Sequence, residues 1–392
     1  MVPAGDRDRD AVAIGHNPPA SQPLPDIRWP VSRNRRVVTS LDVARRAGVS
    51  QSAVSRALAS QPTQSGVSAE VRQRVMAAAD QLGYRPNAIA RSLITRRSRT
   101  VGLLFSYLDN PFYAGALERF CHVLQARHHH AMVFMMPDTV EGAERTMSAL
   151  LEHRVDGIIT ATVELSSELC AFCLAADMPI VAFNRTQDAQ RLSSVTCDNA
   201  DGGRQVARYL LAGGHRRIAM LAGWEGASTN RDREAGFNAQ LAGAGAQLFD
   251  RRVGHFDLPS TVEATRAMFA PARPSDRPDA VFVANDWSAI AVLDTLRHEL
   301  GLRVPEDVSV IGFDDIATAA LPPYDLTTVR QPIRRMVDAT ARLLFENMER
   351  AAPGNEPADD EAEHVVLGAR LVERGSARRP HRSTRPAAGP VT

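Results

Sequence analysis

The sequence predicts a small all-α headpiece with a helix-turn-helix, joined to an α/β body of doubly wound parallel sheets. Three observations predict it. Residues 38–58 hold two helix-capping signals separated by a glycine turn. From residue 101 onward, fully apolar runs of strand length alternate with amphipathic helical stretches. The charge is also split along the chain: residues 33–99 carry 13 arginines against 3 acidic residues, and residues 100–392 carry 30 against 38.

Each headpiece element has a local reason. Thr39 caps the first helix, and Asp42, three residues on, completes a capping box. Leu41, Val43, Ala44 and Ala47 supply apolar residues for a tight helix contact. Gly48 ends that helix where the chain needs a positive φ. Ser50 caps the second helix, whose Val54 and Leu58 face the core. That leaves Gln51, Ser52, Ser55 and Arg56 facing outward for DNA, since such a second helix enters the major groove. Residues 67–83 read as a third helix, capped by Ser68, stopped by Gly83 and striped by Val71, Val75, Ala78 and Leu82. A basic head on an acidic body is the footprint of a DNA-binding module. All 46 basic residues are arginine, which carries no functional reading.

The body alternates strand and helix. Apolar strands are expected at 101–105, 131–135, 157–159, 179–183, 217–221, 280–284 and 308–313. Helices are expected at 111–127, 141–152, 200–211 and 286–300. Strands that are apolar throughout belong to parallel sheets covered on both faces. In such sheets ligands bind beyond the carboxyl ends of the strands.

Length and composition bound the rest. A chain of 392 residues with 44% hydrophobic content buries large cores and forms two or three domains. No apolar run approaches the ~20 residues of a membrane helix, and the N-terminal stretch lacks an apolar signal-peptide core, so no membrane contact and a cytoplasmic location are expected. Residues 1–36 and 377–392 read as disordered tails. Four cysteines do not make a disulfide framework; Cys170 and Cys173 form a lone CxxC read as buried thiols. His128, His129 and His130 are read as a solvated connection, so neither a metal nor a cofactor is expected. The nucleotide, zinc-protease, nucleophile-elbow and dinucleotide motifs are missing, which argues against an enzyme.

With the helix-turn-helix, the run Tyr84, Arg85, Pro86, Asn87, Ala88, Ile89, Ala90, Arg91, Ser92, Leu93 resembles the lactose-repressor (LacI/GalR) family of bacterial transcription regulators. Later marks recur in the same order: Asp156 and Gly157, Asp198 and Asn199, Gly214 to Ile218, Arg233 to Phe237, Ala284 to Asp286, Gly312 to Asp315, and Leu326 to Pro332. The resemblance implies a headpiece at 37–84, a hinge at 85–97 and a core at 98–376. That core is similar to periplasmic sugar-binding proteins, with two lobes joined by three crossovers, about 100–196 plus 328–352 and 197–327 plus 362–376.

It also implies roles. Gln51, Ser52 and Arg56 would read bases, with Arg56 on guanine. Thr39, Ser50, Ser55 and Asn87 would contact the DNA backbone. Ala90 and Leu93 would enter the minor groove at a central CpG step of a near-palindromic operator. In the cleft, Asp286 would accept bonds from an effector and Arg233 would clamp hydroxyls or a carboxylate. Asn110, Phe112 and Tyr113 would line it, with Arg185, Thr229, Arg231, Phe256 and Asn285 as further candidates; Gly312 to Asp315 is read as structural.

The partners implied are double-stranded operator DNA, a small-molecule effector and a second copy of the chain. The leading expectation is a repressor released by an inducer. A corepressor- or partner-dependent regulator and, more remotely, a transport-type binding protein are the alternatives. Three features depart from the family: a longer linker over 59–66 with Pro62, Ile94 where purine repressors carry a lysine, and a C-terminus without the leucine heptads of a tetramer.

Overall fold

The computed structural model describes residues 38–58, 66–85, 97–136, 140–162, 173, 178–186, 192–270, 273–351 and 362–380. The hinge candidates Asn87, Ala90 and Leu93, with Ile94, Cys170 and nearly all of the 59–66 linker, lie outside the described residues. The chain divides into two compact units at residue 87.

In the first unit α1 (Ser40–Ala47), α2 (Gln51–Ala57) and α3 (Ala69–Leu82) form a three-helix cluster. Thr39 and Asp42 make the reciprocal capping box, with the Thr39 N–H donating to Asp42 Oδ2 at 2.9 Å. Gly48 sits at φ 66°, a conformation in which a Cβ would crowd the following carbonyl. Val43, Ala44, Ala47, Val54, Ala57 and Val75 form the buried core. Full burial of each valine contributes about 1.5–3 kcal/mol. Leu41, expected in this contact, is 44% exposed, because it lies off the face that Val43, Ala44 and Ala47 define.

The second unit begins with β1 (Thr100–Phe105), α4 (Pro111–Ala126), β2 (His130–Met135), α5 (Val140–Glu152), β3 (Gly157–Ala161), β4 (Ile180–Phe183) and β5 (Ser193–Cys197). It continues with α6 (Asn199–Ala212), β6 (Ile218–Ala222), α7 (Ser228–Gly243), β7 (Asp250–Val253), α8 (Leu258–Phe269), β8 (Ala280–Val283), α9 (Asp286–Asp294) and β9 (Ser309–Ile311). It closes with β10 (Thr328–Arg330), α10 (Ile333–Arg350), β11 (His364–Leu367) and β12 (Arg370–Val372).

Two parallel sheets result, ordered β11-β5-β4-β3-β1-β2 and β7-β6-β8-β9. Each reverses its strand order at a switch point, between β1 and β3 in one sheet and between β6 and β8 in the other. These are the positions where open α/β sheets leave a crevice for ligands. The chain passes between the lobes at 197–199, 327–333 and 367–370. A two-stranded antiparallel ribbon of β10 and β12 accompanies the last two passages.

The lobe boundaries differ from expectation at the C-terminus. Residues 362–376 are not all in the second lobe: β11 pairs with β5 on the first sheet, in the register His364↔Ser194. Only after β12 does the chain return, where the Val310 N–H donates to the Ser376 carbonyl at 2.8 Å. The tail expected from 377 starts later, because Ala377 is buried and the Arg378 N–H donates to Ser309 Oγ. The helix expected at 286–300 ends at Asp294, and a π turn covers Thr295–Glu299.

Candidate functional site

A narrow cavity opens between the two sheets. Every residue lining it follows a strand. Tyr107, Asn110, Phe112 and Tyr113 follow β1, and Asn184 and Arg185 follow β4. From the second lobe come Thr229 and Arg233 after β6, Phe256 after β7, Asn285 after β8 and Asp314 after β9. Three of them hold positive φ: Asn184 at 69°, Phe256 at 57° and Asp314 at 133°. Such backbone costs on the order of 1–3 kcal/mol per residue and persists only where its surroundings over-determine it. Phe256 shows how: its ring lies so close over Gly223 that a Cβ there would come within 2.0 Å of it.

Arg233 is positioned by a glycine contact between helices. A Cβ on Gly236 would fall 1.9 Å from the Ala200 carbonyl, and one on Gly203 would fall 2.1 Å from the Arg233 carbonyl. With no side chains in the way, α6 and α7 approach backbone to backbone, and Arg233, the sixth residue of α7, reaches the cavity. Its Nε donates to Asn199 Oδ1 at 2.9 Å and its Nη1 to the Ala284 carbonyl at 2.5 Å. Its guanidinium lies 3.7 Å from the Phe313 ring centre, and Nη2 is 3.7 Å from Asp314 Oδ1.

Asp314 is the cavity's carboxylate. It accepts from Gln331 Nε2 at 2.7 Å and from Asn110 Nδ2 at 3.5 Å, the latter bond spanning the two lobes. Burial pushes its carboxyl above the ordinary range, while Arg233, Gln331 and Asn110 pull it down. Asn110 also caps α4, with Oδ1 accepting from the Phe112 N–H. Asn285 caps α9 by accepting from the Ser288 N–H.

Two expected ligand residues do not line this cavity. Asp286 is fully buried and does not line the cavity. Its carboxylate accepts from the Thr328 hydroxyl at 2.5 Å and from the Ile316 N–H at 3.0 Å. It also faces Gly312, where a Cβ would fall 2.2 Å from Asp286 Oδ1. At the first turn of α9, one residue past the cap, its side chain ties α9 to Ile316 in the β9–β10 connection and to Thr328 at the start of β10. Arg231 is exposed and pairs with its neighbour Asp232 at 3.1 Å, because its side of α7 faces away from the cavity. Conversely, within Gly312 to Asp315, read as structural, Asp314 lines the cavity. Tyr107 and Asn184 also line it without having been singled out. Tyr107 and Asp314 occupy post-strand positions of the kind that drew attention to Asn110.

Arg185 is 1% exposed. Its Nη2 donates to the Tyr107 hydroxyl at 2.9 Å, and its guanidinium lies 5.7 Å and 5.9 Å from the ring centres of Tyr107 and Tyr113. Nε and Nη1 have no hydrogen-bond partner among the described residues, nor does Oδ1 of Asn184, whose Nδ2 donates to the Tyr113 hydroxyl at 3.1 Å.

In the headpiece, Gln51, Ser52, Ser55 and Arg56 are exposed on α2 while Val54 and Ala57 are buried. Ser50 Oγ accepts from the Ala53 N–H at 3.2 Å, and Gln51 Nε2 donates to Ser40 Oγ at 2.8 Å, tying the start of α2 to α1. Among the described residues, Arg56 is anchored only by a 3.4 Å bond from Nε to the Ser52 carbonyl.

Residues 39–87 match the description "Bacterial regulatory proteins, lacI family", and residues 207–377 match a periplasmic binding protein-like domain. The HTH-type transcriptional repressor PurR of Photobacterium profundum is 33% identical over 322 residues, which covers 80% of this chain and 92% of that one. The chain belongs to the lacI family of bacterial regulators. The HTH-type transcriptional regulator CelR of Thermobifida fusca is 35% identical over 329 residues, covering 81% and 94%. Among solved structures, the lac repressor dimer bound to operator and the anti-inducer ONPF superposes with a TM-score of 0.74 at 29% identity, covering 87% of this chain and 99% of that one. A CelR–cellobiose complex superposes with a TM-score of 0.63 at 32% identity, covering 87% and 100%. This lacI-family regulator is thus a DNA-binding transcriptional regulator under metabolite control. No helix among its described residues is long and apolar enough to cross a membrane.

Proposed function

We propose that the chain is a homodimeric repressor whose two headpieces read the half-sites of a near-palindromic operator and are released by a small metabolite. The observation that carries this is the cavity: eleven residues from six post-strand segments of both lobes converge on one space. A ligand there touches both lobes at once, so it favours one lobe arrangement over another. That differential affinity is what couples it to DNA, and the coupling is reciprocal. Asn110, Phe112, Tyr113, Arg185, Thr229, Arg233, Phe256 and Asn285 are kept as effector residues, and Asp314 takes the place of Asp286.

On the DNA side Gln51, Ser52 and Arg56 read bases, while Thr39, Ser50 and Ser55 hold phosphates. Asn87, Ala90 and Leu93 act in the hinge. The cavity groups bind rather than react: Arg233 and Asp314 pair with each other, Arg185 bonds the Tyr107 hydroxyl, and among the described residues no nucleophile stands beside a base there.

The test is anisotropy of labelled DNA from the gene's own upstream region, titrated with the full chain at fixed salt, because phosphate contacts make affinity steeply salt-dependent. Tight, sequence-selective binding released by one metabolite of a panel supports the reading. Binding that appears only when a metabolite is added makes the chain a corepressor-dependent regulator. Equal affinity for all sequences overturns it.

A further inference from the structure

The cavity holds two buried guanidiniums and one buried carboxylate. Arg233 is fully used: Asn199, the Ala284 carbonyl, Asp314 and the Phe313 ring take up its three nitrogens and its face. Arg185 is in the opposite condition. It is 1% exposed, two of its three nitrogens lack an acceptor among the described residues, and its one hydrogen bond goes to a phenol. That phenol is neutral, since burial raises the Tyr107 hydroxyl above its ordinary value. Asp314 bonds Gln331 and Asn110 and pairs with Arg233, and it feels Arg185 only through space, without a hydrogen bond or ion-pair contact. The next carboxyl, Asp286, faces away and is held by Thr328 and Ile316.

A buried cation without a paired anion is costly to fold around, and a buried charge in a native protein is ordinarily paired. Beside it, Asn184 Oδ1 is an acceptor without a donor. Consecutive residues therefore offer unmet guanidinium N–H donors and an unmet amide oxygen to the same space. The complement is a carboxylate with a hydroxyl close by. The other walls suit a small ring or chain presenting C–H faces: Phe112, Phe256 and the Tyr107 ring line the cavity, and Trp224 stands edge-on to Tyr107 and Phe256.

Resting on the reading of this cavity as the effector site, we infer that the effector is a small hydroxylated monocarboxylate, a sugar acid, held through its carboxylate by Arg185 and through a neighbouring hydroxyl by Asn184.

The test uses the full chain and matched pairs that differ in the acid group: D-gluconate against D-sorbitol, D-glucuronate against D-glucose, and D-galacturonate against D-galactose. Calorimetric titration gives affinities, and thermal melting gives an independent readout. At least one acid is expected to bind at least about tenfold tighter than its neutral counterpart, the size of one charge-assisted hydrogen bond. Arg185→Gln is expected to erase that preference and Arg185→Lys to keep part of it. A far-ultraviolet circular dichroism spectrum and a cooperative melt like the parent's show that both variants fold.

Three results overturn the proposal: every neutral sugar binding as tightly as its acid, a preference that survives Arg185→Gln, or no acid of the three binding. The cavity reading fails separately. If acid and neutral members bind equally and Phe256→Ala weakens both, the cavity is the effector site and only the acid is wrong. If binding is untouched by Phe256→Ala and Arg185→Gln alike, the effector sits elsewhere.

Discussion

The recognition helix and the effector cavity solve opposite physical problems. On α2, Gln51, Ser52, Ser55 and Arg56 are exposed and lightly held, on a helix whose buried side is only Val54 and Ala57. In the cavity, Arg185, Arg233 and Asp314 are withdrawn from water, and two of the three are locked into networks. The headpiece can therefore lose a functional side chain without losing its fold. The cavity cannot lose Arg233 or Asp314 so cheaply, because those two buried charges balance each other. Function and stability are separable in one region and the same quantity in the other.

The widest breach of that comparison is expected from Arg233→Met. It removes the guanidinium beside Asp314, strips the Ala284 carbonyl and Asn199 of their donor, and leaves a buried carboxylate unpaired. Breaking a buried pair from one side costs about 3–5 kcal/mol. Urea unfolding of the variant is expected to show a core transition shifted by that order, with the effector response gone. A core as stable as the parent's would mean that Arg233 is a ligand group with no structural duty.

Arg56→Ala tests the other side. It is expected to weaken operator binding by about 1–3 kcal/mol and to relax selectivity at one base pair, while the melting curve stays where it was. Anisotropy on operators substituted one base pair at a time makes the check. Equal weakening on every sequence would move Arg56 from base reading to phosphate contact.

Asp286→Asn separates a structural carboxyl from a ligand one through pH. Burial, with Asp314 nearby, raises the Asp286 carboxyl from its ordinary 3.8 to about 7, against the lowering effect of Thr328 and Ile316. A carboxyl whose pKa is raised on folding favours the folded state below its unfolded value, near pH 4. That contribution fades as pH rises through about 7. The parent is expected to lose stability from this group across that window, and Asp286→Asn to lose less, so the melting-temperature gap moves in the variant's favour from pH 5 to pH 8. The effector response is expected to survive, since Asp286 does not line the cavity. A parallel pH profile for the two proteins would show that Asp286 is ionised throughout.

These contrasts explain what could be read from the sequence. Thr39, Asp42, Gly48, Ser50, Ser68 and Gly83 act on backbone within a few residues of themselves, so cap and turn chemistry located every headpiece helix. The strands β1, β3, β4, β6, β8 and β9 were legible because a strand buried on both faces writes its burial into every residue, whereas β5 (SSVTC) and β7 (DRRV) are too polar to have been read. The cavity was legible only as a rule of position. That rule selected Asn110, Arg185, Arg233, Phe256 and Asn285, but it does not say which way a side chain leaves the backbone. Asp286 and Asp314 both follow strands; α9's first turn aims one between loops, and a positive φ of 133° turns the other into the cavity. The edge strand β11 was hidden as well, because its partner β5 lies some 170 residues earlier and its exposed Val366 breaks the apolar pattern.

The smallest effect expected is also the one that bears most directly on the contrast. Thr39 is proposed to hold a phosphate, yet its hydroxyl donates to Asp42 Oδ2 at 2.7 Å, and its oxygen accepts from the Asp42 N–H at 3.4 Å. Capping and DNA contact draw on the same atom. Thr39→Ala is expected to cost the headpiece about 0.5–2 kcal/mol of helix stability, and Thr39→Ser to restore it. If the hydroxyl also meets a phosphate, the alanine variant loses affinity equally on all operators, with a salt slope nearly unchanged because the hydroxyl carries no charge to exchange for a counterion. Unaltered affinity beside a lowered headpiece melting temperature would assign Thr39 to the fold alone, and the separation of function from stability in the headpiece would then hold down to its first residue.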